Sequence, residues 1–160
     1  MNISKLQEIA TNSNVFFVPF KWMHPLSMDL RQFERETFEL IPDFRARLRM
    51  YEQTGNAVTV LCEGKMVCSF GVYEIWSGVA EAWLITSKHF ESYPISATRT
   101  ARRFFDFIAI ELQLHRLQIG VNTRDAVAVK WAKMLNFDIE GVNRAFGPDK
   151  TDWLMMSRIY

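Results

Sequence analysis

The sequence is poor in the features that announce whole classes of protein. Only two of its 160 residues are cysteine, too few for a disulfide framework. Cys62 and Cys68 flank Glu63-Gly64-Lys65. That spacing suits two strands of a hairpin and no metal site, and two free thiols fit a reducing cytosol. His24, His89 and His115 are far apart, without metal-ligand spacing, so no metal is expected. The net charge is only +1, which gives no global pull toward nucleic acid or an anionic membrane. No stretch approaches the roughly 20 apolar residues of a membrane helix. The opening MNISKLQEIATNSN lacks the long apolar run of a signal peptide. Internal repeats and low-complexity segments are absent.

What the sequence does contain is core. It is 49% hydrophobic and 14% aromatic, and its length predicts one domain over 1–160. The informative stretch is Ala80 to Phe137, where the apolar period changes three times. Ala80–Ile85 is a short apolar run that reads as a buried strand. From Ser96 the period is helical, with Ala97, Ala101, Phe104, Phe105, Ile108, Ala109 and Leu112 on one face. Arg116–Asn122 alternates Leu117, Ile119 and Val121 with Arg116, Gln118 and Gly120, as a strand does. Asp125 can cap a second helix that buries Val127, Val129, Trp131, Met134 and Leu135. Asn136 ends it, because asparagine tolerates the left-handed position after a helix. Strand, loop, helix, strand, helix is a βαβα unit whose two strands should be parallel and connected right-handedly.

Around that unit, Ser4–Ala10 reads as a short helix and Asn14–Phe20 as a first strand. Lys21–Ser27 reads as a loop. Ser27 or Asp29 should cap a helix running through Leu40. Pro42 should open another, ending near Gly55. Ala57–Cys62 and Met66–Tyr73 form a hairpin, and Val79–Ile85 follows the Ser77-Gly78 turn. Asp138–Phe146 and Asp152–Ile159 close the chain as strands joined by Gly147-Pro148-Asp149-Lys150. Trp76, Trp83, Trp131 and Trp153 read as core.

This order resembles the GNAT acetyltransferase superfamily over nearly the whole chain. Leu114-His115-Arg116-Leu117 before a strand, and Met134-Leu135-Asn136-Phe137 ending a helix, resemble that family's L-H-R and K-L-G-F runs. A narrower likeness is to phage-encoded GNAT-like proteins, some called internal virion proteins. It rests on Ala82-Trp83-Leu84, on Trp131 to Phe137 and on Gly147-Pro148. The resemblance implies an α/β fold with a mixed sheet of six or seven strands flanked by helices, the fourth and fifth parallel and splayed. It implies acetyl-CoA as cofactor and an amine of a protein or small molecule as acceptor. It adds phage or host proteins and a homodimer as further associations, while the near-neutral charge and the lack of a long apolar run speak for no nucleic-acid or membrane partner. The location it implies is cytoplasmic, in a host cell for a phage-encoded chain, or in the virion.

The same resemblance places the chemistry. Glu81 takes the position of the general base, and a carboxylate desolvated by neighbours such as Trp83 suits proton removal near neutral pH. The bland alternative is a strand carboxylate in solvent or paired with an arginine. Trp83, Leu84 and Ile85 would line the pantetheine arm. The phosphate loop, laid on without gaps, is Ser92-Tyr93-Pro94-Ile95-Ser96-Ala97. It lacks the family's glycines, and Pro94 removes an N–H donor. Ser92, Ser96, Ala97, Thr98, Arg99 and Arg102 would then meet the phosphates, with arginines standing in for lost amides. The alternative for Arg99, Arg102 and Arg103 is a solvated basic face, or pairing with Glu91 or Asp106. The position that usually holds an acidic tyrosine falls on Ala132, leaving Tyr93 and Tyr160 as substitutes. Asp125 stands where the family has an asparagine at the cofactor, and also where a helix needs its cap.

Overall fold

A computed structural model describes residues 3–10 and 14–160. In chain order the elements are α1 (Ile3–Ile9), β1 (Val15–Pro19), α2 (His24–Ser27), α3 (Gln32–Leu40), α4 (Phe44–Gln53), β2 (Ala57–Cys62), β3 (Lys65–Trp76), β4 (Val79–Thr86), a 3₁₀ turn (Lys88–Ser92), α5 (Pro94–Glu111), β5 (Arg116–Asn122), α6 (Ala126–Met134), β6 (Asp138–Asn143) and β7 (Trp153–Ile159). The seven strands follow the order β1-β2-β3-β4-β5-β7-β6 in one sheet. β4 and β5 are parallel, paired Val79 to Arg116, Ala80 to Leu117 and Glu81 to Gln118. Their ladder stops there, three pairs into strands of eight and seven residues. That early stop falls where the two strands were expected to splay.

The chain divides into two compact units, Met1–Tyr73 with Trp83–Phe104, and Glu74–Ala82 with Phe105–Tyr160. In the first, the β2–β3 hairpin turns on Glu63 and Gly64, both at positive φ, the two-residue turn whose twist matches its strands. Period-two alternation then sorts side chains by face. Phe17 and Phe70 face Phe104 of α5 through edge-to-face contacts. Ala57, Tyr73, Trp83 and Ile85 join Leu48 and Tyr51 of α4 in a second core. Helices therefore cover both faces of these strands. Tyr51 stacks on Trp83 at 4.2 Å and 8°, and Phe20 meets the same indole edge-on.

In the second unit Gly78 fixes the β4–β5 register. Its φ is +80°, and a Cβ there would lie 2.4 Å from the His115 ring, so glycine is required on both counts. Its carbonyl accepts the N–H groups of His115 and Arg116, tying the start of β5 to that of β4. One face of β5 carries the buried Leu117 and Val121. The other face carries Arg116, Gln118 and Gly120. Asp125 caps α6 by accepting the Ala128 N–H at 3.0 Å, and Asn136 is left-handed at φ +64°, both as expected.

Several expectations are corrected. α3 starts at Gln32, not after Ser27 or Asp29, because Leu30 is drawn into a bridge with Ser87. Part of the Lys21–Ser27 loop is the short helix α2. Pro42 lies in a turn before α4, which begins at Phe44 after left-handed Asp43. α5 begins at Pro94 rather than Ser96. β6 stops at Asn143, short of Phe146. Val127 and Met134 are exposed, and Trp76, at the β3–β4 hairpin, is 65% exposed and not core.

Candidate functional site

β4 positions the first group of residues. Along a strand, successive residues aim their N–H and C=O at opposite edges. Ser87 donates to Val67 of β3 at 2.9 Å, so even-numbered residues of β4 address the edge away from β3. At the end of β4 that edge is closed by the segment ahead of α3. Arg31 N–H donates to the Thr86 carbonyl at 3.2 Å, and Lys88 N–H donates to the Asp29 carbonyl at 2.9 Å. Glu34 completes the closure: its Oε1 accepts the Thr86 N–H at 3.3 Å and the Thr86 hydroxyl at 2.8 Å. At the other end of β4 the ladder to β5 stops at Glu81. Between these limits, among the described residues, the N–H and C=O of Leu84 meet no strand on that edge.

Trp83 and Ile85 point to the aromatic core and do not line that edge with their side chains. Trp83 Nε1 is nevertheless a buried donor without an acceptor among the described residues. An orphaned buried donor costs about 1–3 kcal/mol, so its retention needs a reason.

The proposed phosphate loop is mostly helix. Ser92 ends the 3₁₀ turn and Tyr93 alone links it to α5, whose first turn holds Pro94, Ile95, Ser96 and Ala97. The Ala97 N–H is taken by the Tyr93 carbonyl at 2.8 Å, and Pro94 has no N–H. Ile95 and Ser96 are left as the amide donors of that turn. The Thr98 hydroxyl donates to the Pro94 carbonyl at 2.7 Å. Arg99, Arg102 and Arg103 are exposed on α5, near its amino end. Asp106 pairs with Arg158 at 2.5 Å.

Glu81 lies in the second unit, half-buried, with Oε2 accepting the Gln118 amide at 3.2 Å. It is thus neither a free surface carboxylate nor an arginine partner. Asp125 is buried at the start of α6, and its Oδ1 is taken up by the cap. Ala132 is buried and offers no proton. Neither substitute tyrosine is unoccupied. Tyr160 donates to the Phe105 carbonyl at 3.2 Å, beside the beginning of β5, and burial pushes its hydroxyl up to about 12. Tyr93 donates to Glu63 at 3.2 Å, and the neighbouring Cys62 thiol first, then desolvation and Glu63, push it up to about 12. Cys62 and Cys68 are both free and buried. No group of three or more His, Cys, Asp or Glu residues is arranged for a metal among the described residues.

Sequence reasoning missed the closure of β4 by Asp29, Arg31 and Glu34, and it missed Gln118. Only the latter left a signal, as a polar residue alternating with the apolar ones of β5.

Solved structures share this architecture. Ard1 from Thermoplasma volcanium is 13% identical, with 91% of this chain and 97% of that one covered at a TM-score of 0.74. The acetyl transferase of Salmonella typhimurium that modifies the N-terminal serine of ribosomal protein L7/L12 is 14% identical, covering 95% and 98% at 0.70. The putative acetyltransferase yncA from the same organism, solved with acetyl-CoA, is 12% identical, covering 92% and 94% at 0.64. No family model and no curated protein matches the sequence. At these identities the likeness concerns the fold, and the fold of this chain is that of the GNAT acetyltransferases.

Proposed function

We infer that the protein is an acetyl-CoA-dependent N-acetyltransferase acting on a primary amine of a protein or small molecule. The observation that carries this reading is the unpaired stretch of β4 at Leu84, three residues beyond Glu81 on the same strand. The residues present fit the cofactor. Leu84 can donate its N–H to an amide of an extended arm and accept from another through its C=O. Trp83 Nε1 is an orphaned donor one residue away. The Ile95 and Ser96 amides, the Ser96 hydroxyl, Arg99 and Arg102 would meet phosphate, with the helix dipole adding attraction for an anion. Ala97 would contribute only its small size, and Ser92 and Thr98 only their position beside the helix start. Acetyl-CoA supplies an activated acyl group and a thiolate leaving group.

The chain's own share of the chemistry is then placement and proton removal. Glu81 takes the proton from the acceptor ammonium, so that the nitrogen lone pair becomes nucleophilic. Asp125 holds the start of α6 and is assigned no contact with cofactor. No side chain is assigned as acid.

A second reading is favoured by the glycine-free helix start and by Ala132. In it the chain keeps the fold without chemistry and acts as a phage virion or host-interaction component. One assay separates the two. The protein is incubated with acetyl-CoA and a panel of amines, peptide N-termini and lysine peptides, and products are read by mass spectrometry. Acetylation abolished by boiling supports the enzyme. No acetylated product from any amine moves the assignment to the second reading.

A further inference from the structure

On the polar face of the second unit, four strands contribute to one continuous chain of hydrogen bonds. Gln118 Nε2 donates to Glu81 Oε2 at 3.2 Å, and Gln118 Oε1 accepts from Arg116 Nε at 3.3 Å. Arg116 forks onto Glu140, with Nη1 to Oε1 at 2.7 Å and Nη2 to Oε2 at 2.5 Å. The Ser157 hydroxyl donates to Glu140 Oε1 at 2.7 Å. The backbone sets this up. Glu81 is paired with Gln118 across the parallel ladder, and Gln118 with Ser157 across the antiparallel one, so all three share a face. Glu140 is the extra residue of a bulge between Ile139 and Gly141, which re-aims its side chain toward that face.

The chemistry of each member dictates the orientation of the next. A guanidinium has only donors, so Gln118 must turn its amide oxygen toward Arg116. Its NH₂ is then left for Glu81. Arg116 cannot rotate away, because the two-point fork to Glu140 fixes its plane. Glu140 is in turn held far down, at about 2, by Arg116 first and Ser157 second, so it stays charged as the anchor.

We propose that Gln118 is a positioning residue that holds Glu81 by Oε2 and leaves Oε1 for the proton of the acceptor amine, with Arg116 and Glu140 fixing the Gln118 amide. This rests on the reading of Glu81 as base. In the step concerned, an N–H bond of the ammonium breaks, its electron pair stays on nitrogen, and the proton bonds to Oε1. Without Gln118 the carboxylate rotates between several directions, and only a fraction of encounters present an oxygen to the amine.

The test is a double-mutant cycle on the full chain, with Gln118→Met to keep volume and Gln118→Ala as a second variant. Steady-state rates are measured with acetyl-CoA and whichever amine the panel identifies. Expected is a roughly tenfold fall in kcat with KM changed less than about twofold, because the lost contact matters only at proton transfer. In the Glu81→Gln background the same substitutions should change kcat less than about twofold, since there is no base left to orient. A purely structural role would lower kcat equally in both backgrounds, and that result overturns the inference, as does unchanged kcat in both Gln118 variants. If Glu81→Gln alone leaves kcat intact, the reading of Glu81 fails, and this inference falls with it. If Glu81→Gln is slow and the Gln118 variants are not, only the positioning role is lost.

Discussion

A side chain proposed to remove a proton must be held while keeping one oxygen open, and among the described residues the Gln118 amide holds Glu81 by Oε2 alone. Glu81→Gln keeps shape and hydrogen bonding but removes the base. It should slow acetylation by about 10²–10⁴-fold while leaving acetyl-CoA affinity unchanged, as read by steady-state rates beside a binding titration. His24 offers a test independent of catalysis. Its Nδ1 accepts from the Lys21 N–H at 3.2 Å and lies 2.7 Å from the Thr59 hydroxyl, itself 2.8 Å from Ser69. Burial lowers the imidazole below its ordinary 6.5, with Glu52 opposing. The folded state therefore binds fewer protons here than the unfolded chain. The contribution is intact above about pH 6.5 and declines as pH falls through the window below it. Urea midpoints taken from pH 8 to pH 5 should fall more steeply for the parent than for His24→Gln. Of these two residues only Glu81 was singled out beforehand, as the base position that the resemblance implies on the fourth strand. The sequence left His24 unexplained, since only Lys21 among its partners is local and the hydroxyl of Thr59 lies 35 residues on.

Elements show where reading by period succeeds. The changes of period between Ala80 and Phe137 located β4, α5, β5 and α6, because burial on one face writes itself into sequence. Ends were harder. Pro94 was expected in a loop and opens α5, whereas Pro42 was expected to open α4 and stands before it. The same preference for proline in a first turn applies to both. Asp43, left-handed at φ +50°, breaks the entry after Pro42, and no local pattern announces that. The cap was legible, and Asp125→Ala should cost about 0.5–2 kcal/mol of stability. In a chain of this size that is a melting temperature lower by roughly 2–4 °C per kcal/mol. The closure of β4 by Asp29–Arg31 and Glu34 was illegible, because it joins segments more than 50 residues apart. At the start of α5, exposed arginines oppose the helix dipole by about 0.3–1 kcal/mol each, a cost that a bound anion reverses. Arg99→Ala with Arg102→Ala should weaken acetyl-CoA binding by several-fold to a hundredfold in a titration, and most strongly at low salt.

At the scale of the whole molecule, the order of elements and the resemblance it carries were enough to anticipate a mixed sheet of six or seven strands with the fourth and fifth parallel, and the sheet has seven. What order cannot carry is whether a strand edge stays open, since that depends on which distant segment pairs with it. Here β4 pairs with β5 up to Glu81, is closed again at Thr86, and at Leu84 meets no strand on that edge among the described residues. An open edge, two helix-start amides and two arginines make one claim together, that acetyl-CoA binds. The direct measurement is thermal unfolding of the parent protein with millimolar acetyl-CoA, at low and at high salt. A ligand present at about 100 times its Kd adds about 2.7 kcal/mol. The account predicts a rise of several degrees that shrinks as salt increases. An unchanged melting temperature at millimolar acetyl-CoA and low salt would contradict it.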